Sequence, residues 1–447
     1  MPERHVADLA VKARWIVPVE PRDTVLEDHA VLVRGGRILG VVPCDALQPG
    51  AAAEVIERPE HVLIPGLVNA HTHAAMSLLR NAGGGLPLDA WLRQRIWPME
   101  ARLVDEQFVA DGTELAIAEM LLGGITCFAD MYYYPDAAAR VAAQTGMRAA
   151  IGMPVLEQPG AWAEDVDEYL RRGLELRDQY RDDPLITTTF VLHSPSATGD
   201  ETLRRVRTLA DQLQAPVMTH LLESPGDRDR ERRKHGRGPL ERLAAAGLVN
   251  DLLIAVHCVQ ADTAELGQLA GGGATVVHCP TSNLRLAAGI APVEQMRQLG
   301  IRVALGTDGA ASNDSLDLLA EARLAALLAA GTGGDASAIP PGDALAMATI
   351  DGARSLGLGD QAGSISSGKW ADLACLKLFG PRIDPCNDVL AAIVHSAGRA
   401  AVTDTWVAGR HLVADGRLTR IDPRLLGERA RRWAPRVLAA AAAIAGQ

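Results

Sequence analysis

His71 and His73 stand two apart in Asn69-Ala-His-Thr-His73, directly after the apolar run at 61–68. On a strand, alternate side chains share one face, so the two imidazoles meet at one point while Thr72 turns away, a spacing suited to joint coordination of a metal ion. Other β-prone runs also end in groups able to bind metal or move protons: His193, His220, His257 and Asp308. His71, His73, His220 and Asp308, three imidazoles and one carboxylate, suffice for one divalent ion with a position left for water. Glu223 follows His220 in the segment His-Leu-Leu-Glu. A carboxylate there can take a proton from an activated water and deliver it to a substrate, provided burial raises its pKa toward neutrality.

These residues need a scaffold that brings distant segments to one point. Candidate strands are 67–73, 126–131, 148–155, 185–193, 215–220, 252–258, 274–280 and 302–308, with amphipathic stretches at 107–122, 137–145, 200–213 and 313–329. Eight β/α units predict a closed α/β barrel of the (β/α)8 TIM type, whose active site lies at the C-terminal ends of its strands. Residues 30–42 read as a hairpin about Gly35-Gly36, and 371–378 and 404–413 have the same strand-like texture. The two chain ends, 1–66 and 362–447, are therefore expected to form one small β-sandwich domain beside a catalytic barrel at 67–361. The Ala-rich stretch 437–445 is expected to be a terminal helix.

Composition limits the partners. The chain has 447 residues, 48% of them hydrophobic, and a formal charge of −11. Without a basic surplus, neither nucleic acid nor an anionic membrane is an expected partner, and a small heterocyclic molecule is the default substrate. Charges in Met1–Asp8 occupy the place of a signal peptide's apolar stretch, and Cys44, Cys127, Cys258, Cys279, Cys375 and Cys386 form no Cys-x-x-Cys pair. A cytoplasmic protein with reduced thiols, assembling as a homo-oligomer, is expected.

The motifs together resemble the amidohydrolase superfamily, in the branch of methylthioadenosine/S-adenosylhomocysteine deaminases and triazine hydrolases. The resemblance spans nearly the whole chain. It rests on Pro65-Gly-Leu-Val-Asn-Ala-His-Thr-His73, Trp97-Pro-Met-Glu100, His220-Leu-Leu-Glu223, Ala255-Val-His257, His278-Cys-Pro-Thr-Ser-Asn283 with Leu286-Ala-Ala-Gly289, Leu305-Gly-Thr-Asp-Gly309 and Gly363-Ser-Ile-Ser-Ser-Gly-Lys-Trp-Ala-Asp372. It implies that His71, His73, His220 and Asp308 hold the metal, that Glu223 shuttles the proton and that His257 orients the attacking water. It further implies that Glu100 binds ribose hydroxyls, that His193, Glu223 and Asp308 touch substrate, and that His278 is structural. Arg148, at a strand start, is read as a surface ion-pair partner.

The sequence departs from the branch at two places. Leu192-His-Ser-Pro-Ser196 lacks the tyrosine that follows the corresponding histidine in these deaminases, so an aromatic wall is expected to be missing, and Leu222 replaces a polar residue between His220 and Glu223. Four lysines occur, Lys12, Lys234, Lys369 and Lys377, none within a candidate barrel strand. Binuclear members of the superfamily bridge two metals with a carboxylated lysine, so one divalent ion per chain is expected: zinc, with Fe2+ or Mn2+ as alternatives. The expected activity is hydrolytic deamination of an adenosine-like nucleoside such as 5′-methylthioadenosine, S-adenosylhomocysteine or adenosine. The alternatives are the same machinery acting on an s-triazine, guanine or a pterin, or a non-catalytic barrel homologue.

Overall fold

The computed structural model describes residues 6–160 and 162–445. The opening residues Met1–His5, part of the segment read for a signal sequence, lie outside the described residues. Strands β1 (Ala7–Ile16), β2 (Leu26–Arg34), β3 (Arg37–Pro43) and β4 (Ala52–Pro65) precede the barrel strands. The latter are β5 (Leu67–Thr72), β6 (Ile125–Asp130), β7 (Arg148–Pro154), β8 (Ile186–Leu192), β9 (Val217–Leu221), β10 (Leu253–His257), β11 (Thr275–His278) and β12 (Arg302–Leu305). After the barrel come β13 (Leu373–Lys377), β14 (Val402–Val407), β15 (Arg410–Ala414) and β16 (Arg417–Leu418).

Strands β5 to β12 pair in parallel in chain order. Most of their residues are buried, which is why they read as short continuous apolar runs. The seam between β12 and β5 is closed by side chains and loop backbone. Asn69 exchanges hydrogen bonds with Thr307, Asp308 donates its N–H to the His71 carbonyl at 3.1 Å, and Thr72 Oγ1 donates to the Asp308 carbonyl at 2.8 Å. The barrel thus closes where His71 and Asp308 must meet. At Gly306 a Cβ would lie 2.8 Å from the His71 carbonyl oxygen, so a side chain there would push the two strands apart.

The remaining eight strands form a second sheet in the order β16-β15-β14-β13-β4-β1-β2-β3. Residues from both chain ends cover one apolar core, in which Val33 and Ile38 share a cluster with Leu373 and Trp406. The segment 404–413 is a hairpin, β14 and β15, turning at Ala408-Gly409. The Ala-rich tail belongs to a longer helix, Pro423–Ala445, whose Trp433 donates to Asp111 at 2.9 Å and stacks edge-on against Phe108.

Three expected helices match closely, as Glu106–Leu122, Pro135–Thr145 and Asp200–Leu213. The fourth differs. Ala310–Asn313 is a separate short helix ended by Asp314 in the left-handed region (φ 66°), and the long helix runs Leu318–Gly333 with Asp317 as its cap. Arg148 is also corrected: it is buried, and its guanidinium binds both carboxylate oxygens of Asp372 at 2.6 and 3.1 Å. It locks the base of the barrel to the second sheet.

Candidate active site

The functional side chains cluster at the C-terminal ends of the barrel strands. His71 lies on β5 and His73 just past it, His193 just past β8, His220 on β9, Glu223 beyond β9, His257 at the end of β10 and Asp308 three residues after β12. Leu222, His257, Cys258 and Asp308 all have positive φ, between 48° and 74°. Non-glycine residues rarely adopt this backbone, and its concentration here marks sharp turns of the chain at the mouth.

His71 Nε2 lies 3.2 Å from His220 Nε2 and 3.5 Å from Asp308 Oδ1, and His73 Nε2 lies 3.2 Å from the same oxygen. Ligands about 2.0–2.1 Å from a central ion sit at the corners of a tetrahedron with edges of about 3.3–3.4 Å. The observed separations fit that figure. His257 also comes close, within the group His71, His220 and His257.

The outer nitrogens set the tautomers. His73 Nδ1 bonds the Met131 carbonyl, His220 Nδ1 the His193 carbonyl at 2.8 Å, and His71 Nδ1 approaches the Met218 sulfur at 3.2 Å. A ring that donates Nδ1–H to a carbonyl presents an Nε2 lone pair inward, as metal-binding histidines do. Two such lone pairs 3.2 Å apart repel unless a cation lies between them, so the donor set fits a divalent ion. Burial lowers the pKa of His71 to about 4 and holds His220 well below the usual range, which keeps both rings neutral. Burial opposes ionisation of Asp308 too, but the His71 and His73 rings against it outweigh burial and hold its pKa well below the ordinary carboxylate value.

Supporting groups fix the carboxylate and the fourth imidazole. Ser282 and Ser312 donate to Asp308 Oδ2 at 2.6 and 2.8 Å, and His257 Nδ1 bonds Asn283 Oδ1 at 2.8 Å. His257 Nε2 then lies 3.5 Å from Glu223 Oε1. Burial, reinforced by Asp308 and Asp227, raises the Glu223 pKa well above that of an ordinary carboxyl. The sequence reading missed Ser282, Ser312 and Asn283, although two of them stand in a quoted motif. Hydroxyl and amide residues carry no periodic signal.

A cavity of about 810 Å³ opens above this cluster. Glu100 reaches it from the helix Trp97–Leu103, with one carboxylate oxygen accepting the Tyr132 hydroxyl at 2.8 Å. It is buried, and desolvation raises its pKa to about 7 against the opposing Tyr132 bond. The segment before it contains a widened π-turn, Leu92–Ile96, which accommodates Pro98 where a regular helix would clash. His193 also lines the cavity, with its ring 6.4 Å from Trp97. The expected loss of an aromatic wall is corrected in part: Trp91 and Trp97, on helices after β5, and Tyr132 and Tyr133, on the loop after β6, line the cavity. His278 is buried below the mouth, and the four lysines pair elsewhere, with Glu57, the Ser196 carbonyl, Glu20 and Glu60.

A (β/α)8 barrel with a His-rich cluster at its strand ends defines a class of hydrolases, and the sequence comparisons place the chain within it. The amidohydrolase family profile matches residues 62–412, and the chain belongs to that family. A 5-methylthioadenosine/S-adenosylhomocysteine deaminase of Teredinibacter turnerae is 43% identical, with 95% of this chain and 97% of the relative covered. The crystal structure of an adenosine deaminase from Xanthomonas campestris with bound zinc superposes with a TM-score of 0.95 at 46% identity, covering 97% of this chain and 99% of that one. Atrazine chlorohydrolase from Arthrobacter aurescens, complexed with zinc, shares the fold, with a TM-score of 0.86 at 24% identity over 95% and 99% of the two chains.

Proposed function

We propose that this chain is a metal-dependent aminohydrolase that removes the exocyclic amine of an adenosine-like nucleoside as ammonia. The observation that carries the reading is one cavity bordered by two kinds of carboxylate: Glu223 and Asp308 beside the histidine cluster, and Glu100 on the helix Trp97–Leu103. The first pair serves hydrolysis. Glu100 is suited to accept hydrogen bonds from two neighbouring ribose hydroxyls, a service that guanine, a pterin or an s-triazine does not need. The named relatives support the same substrate class, and one, from Methanopyrus kandleri, is a 5′-deoxyadenosine deaminase.

In this reading His71, His73, His220 and Asp308 hold one divalent ion, for which zinc is the choice. Such an ion supplies Lewis acidity and makes a water molecule acidic near neutral pH. Glu223 takes the proton of the attacking water and carries it to the ring nitrogen beside the carbon that bears the amine. Its raised pKa suits both halves of the transfer. His257, held by Asn283, orients the water, and His193 with the aromatic side chains positions the base. The second proton of the water passes from the new hydroxyl to the amine, and the tetrahedral carbon collapses to the keto base with release of ammonia.

Residues 67–361 are taken as the catalytic unit, and 1–66 with 362–447 as its support. The proposal includes a cytoplasmic location, supported by six unpaired cysteines, and a homo-oligomeric assembly. Among the described residues no helix is long and apolar enough to cross a membrane. Ammonia release from adenosine, methylthioadenosine, S-adenosylhomocysteine, guanine, cytosine and a chlorotriazine tests the reading. Turnover confined to the nucleosides is expected, and turnover only of a free base or triazine would overturn it.

A further inference from the structure

Glu321 is a buried carboxylate behind the cluster that takes no part in the chemistry above. It lies on the helix Leu318–Gly333. One oxygen accepts the Thr281 N–H at 3.0 Å, and the other accepts Asn313 Nδ2 at 2.8 Å. The same Asn313 amide donates to the Thr307 carbonyl, next to Asp308, at 2.7 Å. Glu321 therefore ties together two short helices, Pro280–Arg285 and Ala310–Asn313, that follow the neighbouring strands β11 and β12 at the mouth.

Each of these helices sends a hydroxyl to the same atom. Ser282 comes from the first and Ser312 from the second, and both donate to Asp308 Oδ2. With Oδ2 held by the two hydroxyls, Oδ1, which also accepts the Gly309 N–H at 2.8 Å, is the oxygen that faces His71 and His73. The first helix also supplies Asn283, the partner of His257. Burial raises the Glu321 pKa to about 7, so the group is held against a desolvation cost. A fold that needed only packing here would be served by an apolar side chain.

We propose that Glu321 is a positioning residue for the metal ligand Asp308, acting through Ser282 and Ser312 to fix which carboxylate oxygen faces the histidines. The inference rests on the ligand set proposed above and does not depend on the substrate. Glu321→Gln keeps the size of the side chain but leaves only one acceptor oxygen for two donors, so that its NH2 faces either the Asn313 amide or the Thr281 N–H. Zinc loss to a chelator from the zinc-loaded full chain is expected to be at least about tenfold faster than in wild type, the usual scale for disturbing a group behind a ligand. A nucleoside that is turned over should show reduced kcat with little change in KM.

A purely structural role is separated by the double variant Ser282→Ala/Ser312→Ala. In that background Glu321→Gln should add less than about twofold to the rate of zinc loss, because the path through the two hydroxyls is already cut. Asp404→Asn, in the second sheet, should leave zinc loss at the wild-type rate despite lowering stability. If Glu321→Gln does not fold, Asn313→Ala breaks the same link and should speed zinc loss in the same way. Unchanged zinc loss in the folded variant, or a full additional factor in the serine background, would overturn the inference while leaving the ligand reading in place. Wild-type protein that binds no zinc would overturn both.

Discussion

The two ends of the barrel both bury charge. At the base, Arg148 binds Asp372 through two hydrogen bonds and the Pro184 carbonyl through a third, and Asp372 also accepts the Ala408 N–H. Donors and acceptors there match one another. At the mouth, imidazole nitrogens face each other at 3.2 Å and a single aspartate oxygen serves two rings. Glu223 has its pKa pushed well above the ordinary value by burial, with the Asp308 and Asp227 carboxylates adding to the shift. Charge buried for structure is neutralised in place, whereas charge buried for chemistry is left short of partners until something binds.

The sharpest way to break this contrast is at the mouth. Glu223→Gln should lose about 10²–10⁴-fold in kcat, the usual share of a general acid/base, while keeping its metal. Steady-state kinetics with metal analysis of the same sample checks both parts. Near-normal turnover would assign the proton to another group.

At the base the effect should fall on stability. Arg148→Ala leaves Asp372 ionised and buried without its partner, a change that costs about 3–5 kcal/mol. Urea unfolding should show that loss, and kcat/KM of the molecules that remain folded should stay close to wild type. A large fall in kcat/KM without a change in stability would mean that the two ends do not divide the work as described.

A smaller effect is expected at the helical wall of the cavity. Glu100→Ala should cost about 1–3 kcal/mol in kcat/KM on nucleosides, the penalty for leaving buried hydroxyls unpaired. Activity on free adenine, where measurable, should not change. Equal losses on both would remove the support for ribose recognition.

The same contrast explains what was legible in the sequence. Several barrel strands are apolar runs that end in, or within three residues of, a histidine or aspartate, so both the strands and the ends that matter could be read from pattern. His71 and His73 were visible because a strand's period of two brings them together. Arg148 was misread because a lone arginine at a strand start gives no sign that Asp372, 224 positions away, will meet it. Ser282 and Ser312 escaped notice because their role depends on closure of the barrel around Asp308. The cavity's aromatic wall was sought after β8, but Trp97 supplies it from a helix after β5 and Tyr132 from the loop after β6, and no local pattern reveals their path over the mouth.

Metal stoichiometry is the most direct test of the claim that the mouth is built around one ion. The purified protein should hold about one equivalent of divalent metal per chain, lose activity when a chelator removes it, regain activity with zinc, and lose the site in Asp308→Ala. Two equivalents per chain, or full activity after the metal is removed, would contradict the account.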